Sequence, residues 1–189
     1  MVEKNAVKMN GYLGVLAGLV ITGISAYMLI NGSTVLPIVL LIAVAVLLSG
    51  ITIVQPNEAK VLTFFGTYVG VIREQGLWLA IPFTIKSSVS LRVINFNSDT
   101  LKVNDLEGNP IEIAAVVVYR VNDSAKATFD VKDYKEFVQI QSETGIRHIA
   151  SQYAYDHFDK ETDLSLRRNS DEIAVFLAED LQKRLEVAG

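Results

Sequence analysis

The sequence predicts an α/β fold of the α+β type, held behind a hairpin of two membrane-spanning helices. Three observations carry that expectation. Two stretches, 11–30 and 35–54, contain no charged residue. The stretch that follows breaks into short apolar or alternating runs separated by Gly, Pro, Asn and Asp, the pattern of strands and turns. The last third then places apolar residues at helical spacing.

Half of the 189 residues are apolar and the mean hydropathy is +0.33, which excludes a disordered chain. The net charge is −4 and Lys and Arg form no dense cluster, so the sequence points to no nucleic-acid partner. With no cysteine, the chain has no disulfide, thiolate nucleophile, Cys-based zinc site or palmitoylation site.

Each charge-free window is about 20 residues, the length that crosses a bilayer as a helix of roughly 30 Å. The second, Val35 to Val54, is the more apolar, and its Val, Leu and Ile side chains favour insertion by roughly 4 to 8 kcal/mol. The first is diluted by Gly11, Gly14, Gly18, Gly23, Thr22 and Ser25. Gly14 and Gly18 form a Gly-x-x-x-Gly pair that Thr22 continues, a face on which a second helix can pack closely. The competing explanation is that glycine is simply common in membrane helices.

Asn31 to Thr34 form a short uncharged tip, and Pro37 sits near the start of the second helix, where its missing N–H is tolerated. Lys4, Lys8, Lys60 and Arg73 all lie on the side of the hairpin's ends, so the positive-inside rule places those ends in the cytoplasm. A cleaved signal peptide fits less well, because no small-x-small site is evident and a second spanning run follows. The Asn31-Gly32-Ser33 sequon is discounted, since so short a tip holds Asn31 against the bilayer. The expected organisation is a cytoplasmic tail over 1–10, a hairpin over 11–54 and a folded domain over 55–189, in a multi-pass protein of the cell membrane.

In the domain, Ala59 to Phe65, Val69 to Ile72, Val89 to Phe96 and Thr100 to Val103 read as strands. Ile111 to Val121 reads as a central strand, because Ala114 to Val118 is apolar on both faces. The Asn104 to Pro110 run between the last two is a turn, which accounts for Asp105 and Glu107. Asn122-Asp123-Ser124 caps a short helix through Phe129, and a longer one follows from Val131 to about Tyr153, weakened by Gly145. A third starts between Ser165 and Ser170 and aligns Ile173, Phe176, Leu177, Leu181, Leu185 and Ala188 on one stripe.

Chemistry-bearing residues are sparse. The two histidines, His148 and His157, match no metal-binding spacing, and no phosphate loop or dinucleotide fingerprint is present, so no metal, cofactor or catalytic residue is assigned. The alternative from another class is a membrane hydrolase or accessory subunit using Ser151 and His148, which stand one helical turn apart. Gly76 to Phe83 is the most apolar stretch of the soluble part and holds the only Trp. It reads either as a membrane-resting edge or as an ordinary core strand. The balance puts Leu77 and Leu79 inside and Trp78 and Phe83 against the membrane, which also leaves open a monomeric lipid-binding module.

From about Ile53 to Gly189 the order of motifs resembles the SPFH (band-7, prohibitin homology) family, which includes stomatins, prohibitins and flotillins. The resemblance rests on Pro56-Asn57-Glu58-Ala59-Lys60-Val61, Phe65-Gly66-Thr67-Tyr68, Gly76-Leu77, Ile81-Pro82-Phe83, Ser90-Leu91-Arg92 and Tyr119-Arg120-Val121. It implies a curved, mainly antiparallel sheet with packed helices, membrane attachment, no catalytic activity, and self-association into homo-oligomeric rings or cages. It also implies a scaffold that organises membrane lipids into microdomains and regulates membrane proteins such as proteases. Three departures stand out: Gln75 replaces a common Pro, lipid-acceptor cysteines are missing, and the closing strand and coiled coil of relatives are not reached, the mark expected of a fragment.

Overall fold

The computed structural model describes residues 3–156 and 164–189. Two compact units divide it, Met1–Arg92 and Val93–Gly189. The first unit begins with strand β1 (Met9–Asn10), helix α1 (Gly11–Ile30) and helix α2 (Val35–Ser49). Strands β2 (Ile51–Val54), β3 (Glu58–Phe64), β4 (Thr67–Ile72), β5 (Gly76–Leu79) and β6 (Thr84–Ser90) complete it.

Helix α1 coincides with the first apolar window, and among the described residues it alone is long and apolar enough to cross a membrane. The second window was expected to be helical through Val54, but α2 has 15 residues and a length of about 22 Å. Gly50 caps it, and Ile51-Thr52-Ile53-Val54 leaves the helix to form β2. Hydropathy cannot separate these two outcomes in a four-residue apolar run, whereas β-branched Ile, Thr and Val favour the strand once a partner is available.

That partner is β5, which lies between β1 and β2 in a three-stranded antiparallel sheet. A second sheet has the order β4-β3-β6, also antiparallel. Ala6, Val54, Leu62, Ile72 and Ala80 form the core shared by these strands, with Val69 and Trp78 packed against it.

The second unit carries β7 (Ile94–Asn97), β8 (Leu101–Asn104), β9 (Pro110–Ile113) and β10 (Val116–Tyr119), followed by α3 (Ser124–Phe129), α4 (Tyr134–Gln152) and α5 (Ser170–Leu185). β8 pairs with β9 and β10 with β7, each pair antiparallel. The α+β architecture holds, with its antiparallel pairing distributed, among the described residues, over four small sheets.

Two predicted strands are split. The alternation over Val89 to Phe96 crosses a break at Leu91-Arg92-Val93, where Leu91 N–H donates to the Asn57 carbonyl and leaves the ladder. Ile111 to Val121 is divided between β9 and β10, because Ala115 N–H turns aside to the Ser98 hydroxyl. Nor is that run central: Val116 and Val118 are 67% and 62% exposed, so one of its two apolar faces is uncovered.

The helices follow the sequence closely. Asp123 caps α3 by accepting from Ala125 N–H and Lys126 N–H, and Asp133 caps α4 by accepting from Lys135 N–H and Glu136 N–H. Gly145, expected to weaken α4, lies within it and faces α5. A Cβ there would stand 2.8 Å from Leu181 Cδ2, so a side chain at this position would make Leu181 shift.

Candidate functional site at the hairpin junction

The site is the place where the apolar hairpin meets its sheet. Asn10 pairs with Trp78 as the last residue of β1, and its side chain accepts from Tyr12 N–H to start α1. At the other end α2 stops at Ser49, and Ile51 pairs with Leu79 two residues later. The two roots of the hairpin therefore flank one strand.

Gly11 permits this arrangement, since a Cβ there would lie 2.8 Å from the Leu77 backbone. Gly14 faces Leu79 of β5, with the leucine Cδ2 3.1 Å from the position a Cβ would take. Gly18 faces α2, with Leu48 and Val44 at 3.5 and 3.6 Å. The small-residue face of α1 thus meets the sheet first and the second helix one turn later.

Lys86 closes the lower end of α2. Its Nζ donates to the Ser49 carbonyl at 3.1 Å and to the Ile51 carbonyl, placing a cation at the negative end of the helix dipole. Burial pushes its ammonium pKa down, and the nearby Lys60 adds repulsion. Lys60 is itself paired with Glu58 at 3.0 Å, and that hydrogen bond, aided by the Ser88 hydroxyl and the Gln55 backbone, holds the Glu58 carboxyl below the usual range.

Trp78 and Phe83 differ in their surroundings. Trp78 is half-buried against the core, donates its indole N–H to the Glu74 carbonyl at 2.8 Å, and carries Lys8 Nζ 4.3 Å above its ring. Phe83 is 59% exposed and adopts a left-handed backbone with φ of 59°, a conformation costly for a bulky residue. Its N–H donates to Ser49 Oγ at 3.4 Å, which fixes it beside the end of α2. Phe65, 82% exposed with φ of 44°, is a similar outlier, and Phe64 pairs with Thr84 next to Phe83. Sequence reading missed Lys86 and the Phe65-Gly66 turn: a lysine within a strand pattern carries no local sign of a helix cap, and Phe65 reads as the last residue of a strand that ends at Phe64.

The residues of the hydrolase alternative are not assembled. Ser151 Oγ donates to the His148 backbone carbonyl at 2.8 Å, and His148 Nε2 faces the Gln152 amide at 3.2 Å. His157 lies outside the described residues. Among the described residues no three His, Asp or Glu side chains gather where they could hold a metal ion.

Fold and junction together define a class: an α+β domain carried on an apolar helical hairpin. Residues 52–189 match the SPFH domain / Band 7 family, and the chain belongs to that family. It is similar to a stomatin homolog of Pyrococcus horikoshii, 32% identical over 139 residues, covering 71% of this chain and 52% of that protein. A stomatin homolog of Pyrococcus abyssi matches to the same extent. An uncharacterized protein of Archaeoglobus fulgidus is 33% identical over 125 residues, 66% of this chain and 50% of that one. The chain spans about half the length of the curated relatives it matches.

Proposed function

We propose that this chain is a membrane-anchored scaffold that self-associates, organises membrane microdomains and regulates membrane-protein partners, proteases among them. SPFH and stomatin-like proteins are in general not enzymes, and the proposed role needs no catalytic step. The observation that carries the reading is the sheet order β1-β5-β2, which clamps both roots of an uncharged hairpin to one strand. A sheet held this way cannot swing freely on a linker. Confinement to a surface raises the effective concentration of copies, so weak lateral contacts become sufficient for assembly. The cationic residues near the roots support a cytoplasmic orientation of the domain. Gly14 and Gly18 serve as packing positions within the anchor, and Trp78 and Phe83 rest at the lipid headgroup level.

The absence of cysteine gives a direct test, because one introduced thiol is the only thiol. With Glu179→Cys, at an exposed position of α5, bismaleimide crosslinking of the full chain in membranes should give dimers. Adding a second exposed site, Val175→Cys, should extend these to a ladder. Monomer alone in both variants, at protein densities where a transmembrane control dimer is captured, would overturn self-association.

A further inference from the structure

We propose that the crevice between the N-terminal tail, α2 and the turn after β5 holds one hydrocarbon chain of a membrane phospholipid. The inference rests on the anchored reading above and goes beyond it by assigning a lipid-binding site. The crevice has a volume of about 350 Å³, within the roughly 300–1,000 Å³ typical of small-ligand sites. Val7 and Met9 form one wall, Ala43 and Val46 of α2 a second, and Ile81 and Pro82 a third.

Three observations point to an alkyl chain. Val7 and Met9 are 75% and 66% exposed although the tail that carries them is fixed in place, Ala6 N–H donating to the Val71 carbonyl and Met9 pairing with Leu79. A rigid segment presenting two large apolar side chains to water is unfavourable until something apolar covers them. The wall formed by α2 belongs to a helix with no polar side chain from Val35 to Leu48, so the crevice is continuous with the surface that the anchor turns toward lipid. Among the lining residues Lys8 is the only ionisable one. Its ammonium is held 2.8 Å from the Glu74 carboxylate and above the Trp78 ring, neither of which lines the crevice, so the crevice offers an apolar lining with no charge left free, as an alkyl chain requires.

The test uses the full chain in vesicles of phosphatidylcholine and phosphatidylglycerol, doped with a phosphatidylcholine bearing a diazirine along one acyl chain. After irradiation the labelled peptides are mapped by mass spectrometry. Label is expected on α1 and also on the segments around Val7–Met9 and Ile81–Pro82. Ala43→Phe and, independently, Val46→Phe fill the crevice from a non-buried helix face. Each should lower labelling of those two segments several-fold while leaving vesicle flotation and α1 labelling unchanged.

Label on α1 with none on the tail or the turn would overturn the lipid site and leave the anchor intact. No label on α1 would instead defeat the anchored reading and the site with it. Equal labelling of the crevice segments in wild type and both filled variants would mark incidental contact and overturn the proposal.

Discussion

Helices α1 and α5 are built from the same backbone and are close in length, yet their side chains are arranged inside out with respect to each other. The buried positions of α1 are Gly11, Gly14, Gly18 and Ser25, while Leu13, Leu16 and Leu19 stand 62–70% exposed. In α5 the buried residues are Ile173 and Leu181, and charged side chains face outward. The ends differ as well. α5 has Asp171 and Glu172 in its first turn, Lys183 and Arg184 in its last, and an Arg184–Asp180 ion pair at 2.7 Å. Neither α1 nor α2 has an acidic first turn or a basic last turn, and the hydroxyls of Thr22 and Ser25 are turned back onto the carbonyls of Gly18 and Ile21. Charge complementing the helix dipole helps where water surrounds the helix. In lipid the same charges are a burden, and polar atoms are satisfied within the helix instead. The contrast separates a helix built for water from one whose exposed face is suited to an apolar surrounding.

The largest expected effect breaks this contrast outright. Leu16→Arg combined with Leu19→Arg should oppose insertion of α1 by about 5–7 kcal/mol and abolish vesicle flotation. The same pair of arginines at Val175 and Ala178, on the exposed side of α5, should leave flotation unchanged.

A second experiment concerns Asp105, which is buried and accepts from the backbone N–H groups of Glu107, Asn109 and Tyr155 and from the Asn109 side chain. Burial pushes its carboxyl up, but these hydrogen bonds outweigh burial and hold it below the usual carboxylate range. Because the folded-state pKa is depressed, the stabilisation is complete at neutral pH and is lost as pH falls below about 4. Asp105→Ala should cost on the order of 3 kcal/mol in urea unfolding at pH 7, and the variant's loss of stability between pH 4 and 2 should be shallower than that of the wild type. An identical acid limb in both would rule out Asp105 as its source.

The smallest effect sharpens the comparison at the caps. Asp133→Ala at the start of α4 should cost about 1 kcal/mol by denaturant titration. Thr34→Ala at the start of α2, where no side-chain cap bond exists, should change stability by less than about 0.5 kcal/mol.

The sequence was most legible where a signal was long or chemically specific. An uncharged 20-residue run fixed α1, and Asp123 announced α3 through its position before a short helical segment. Short strands were harder, because each is decided by its partner. Ile51–Val54 reads as a continuation of α2 until β5 is placed beside it, and β1, only two residues long, has no sequence pattern at all. The Asn104–Pro110 turn is visible from its composition, but the burial of its Asp105 is not. The backbone donor that buries it, Tyr155 N–H, is 50 residues away. At the junction the same limit applied: Gly14 and Gly18 could be picked out as a packing face, while the split of their partners between β5 and α2 depends on how far the strand reaches up the helix.

β5 follows both of its neighbours in the chain, and this order constrains biogenesis. Until Gly76–Leu79 has emerged from the ribosome, neither root of the α1–α2 pair has its partner strand. Strand β5 can join β1 and β2 only after Leu79 has cleared the exit tunnel, so the α1–α2 pair stays unclamped until then. A translational pause just before that point would lengthen the time the two helices spend unclamped.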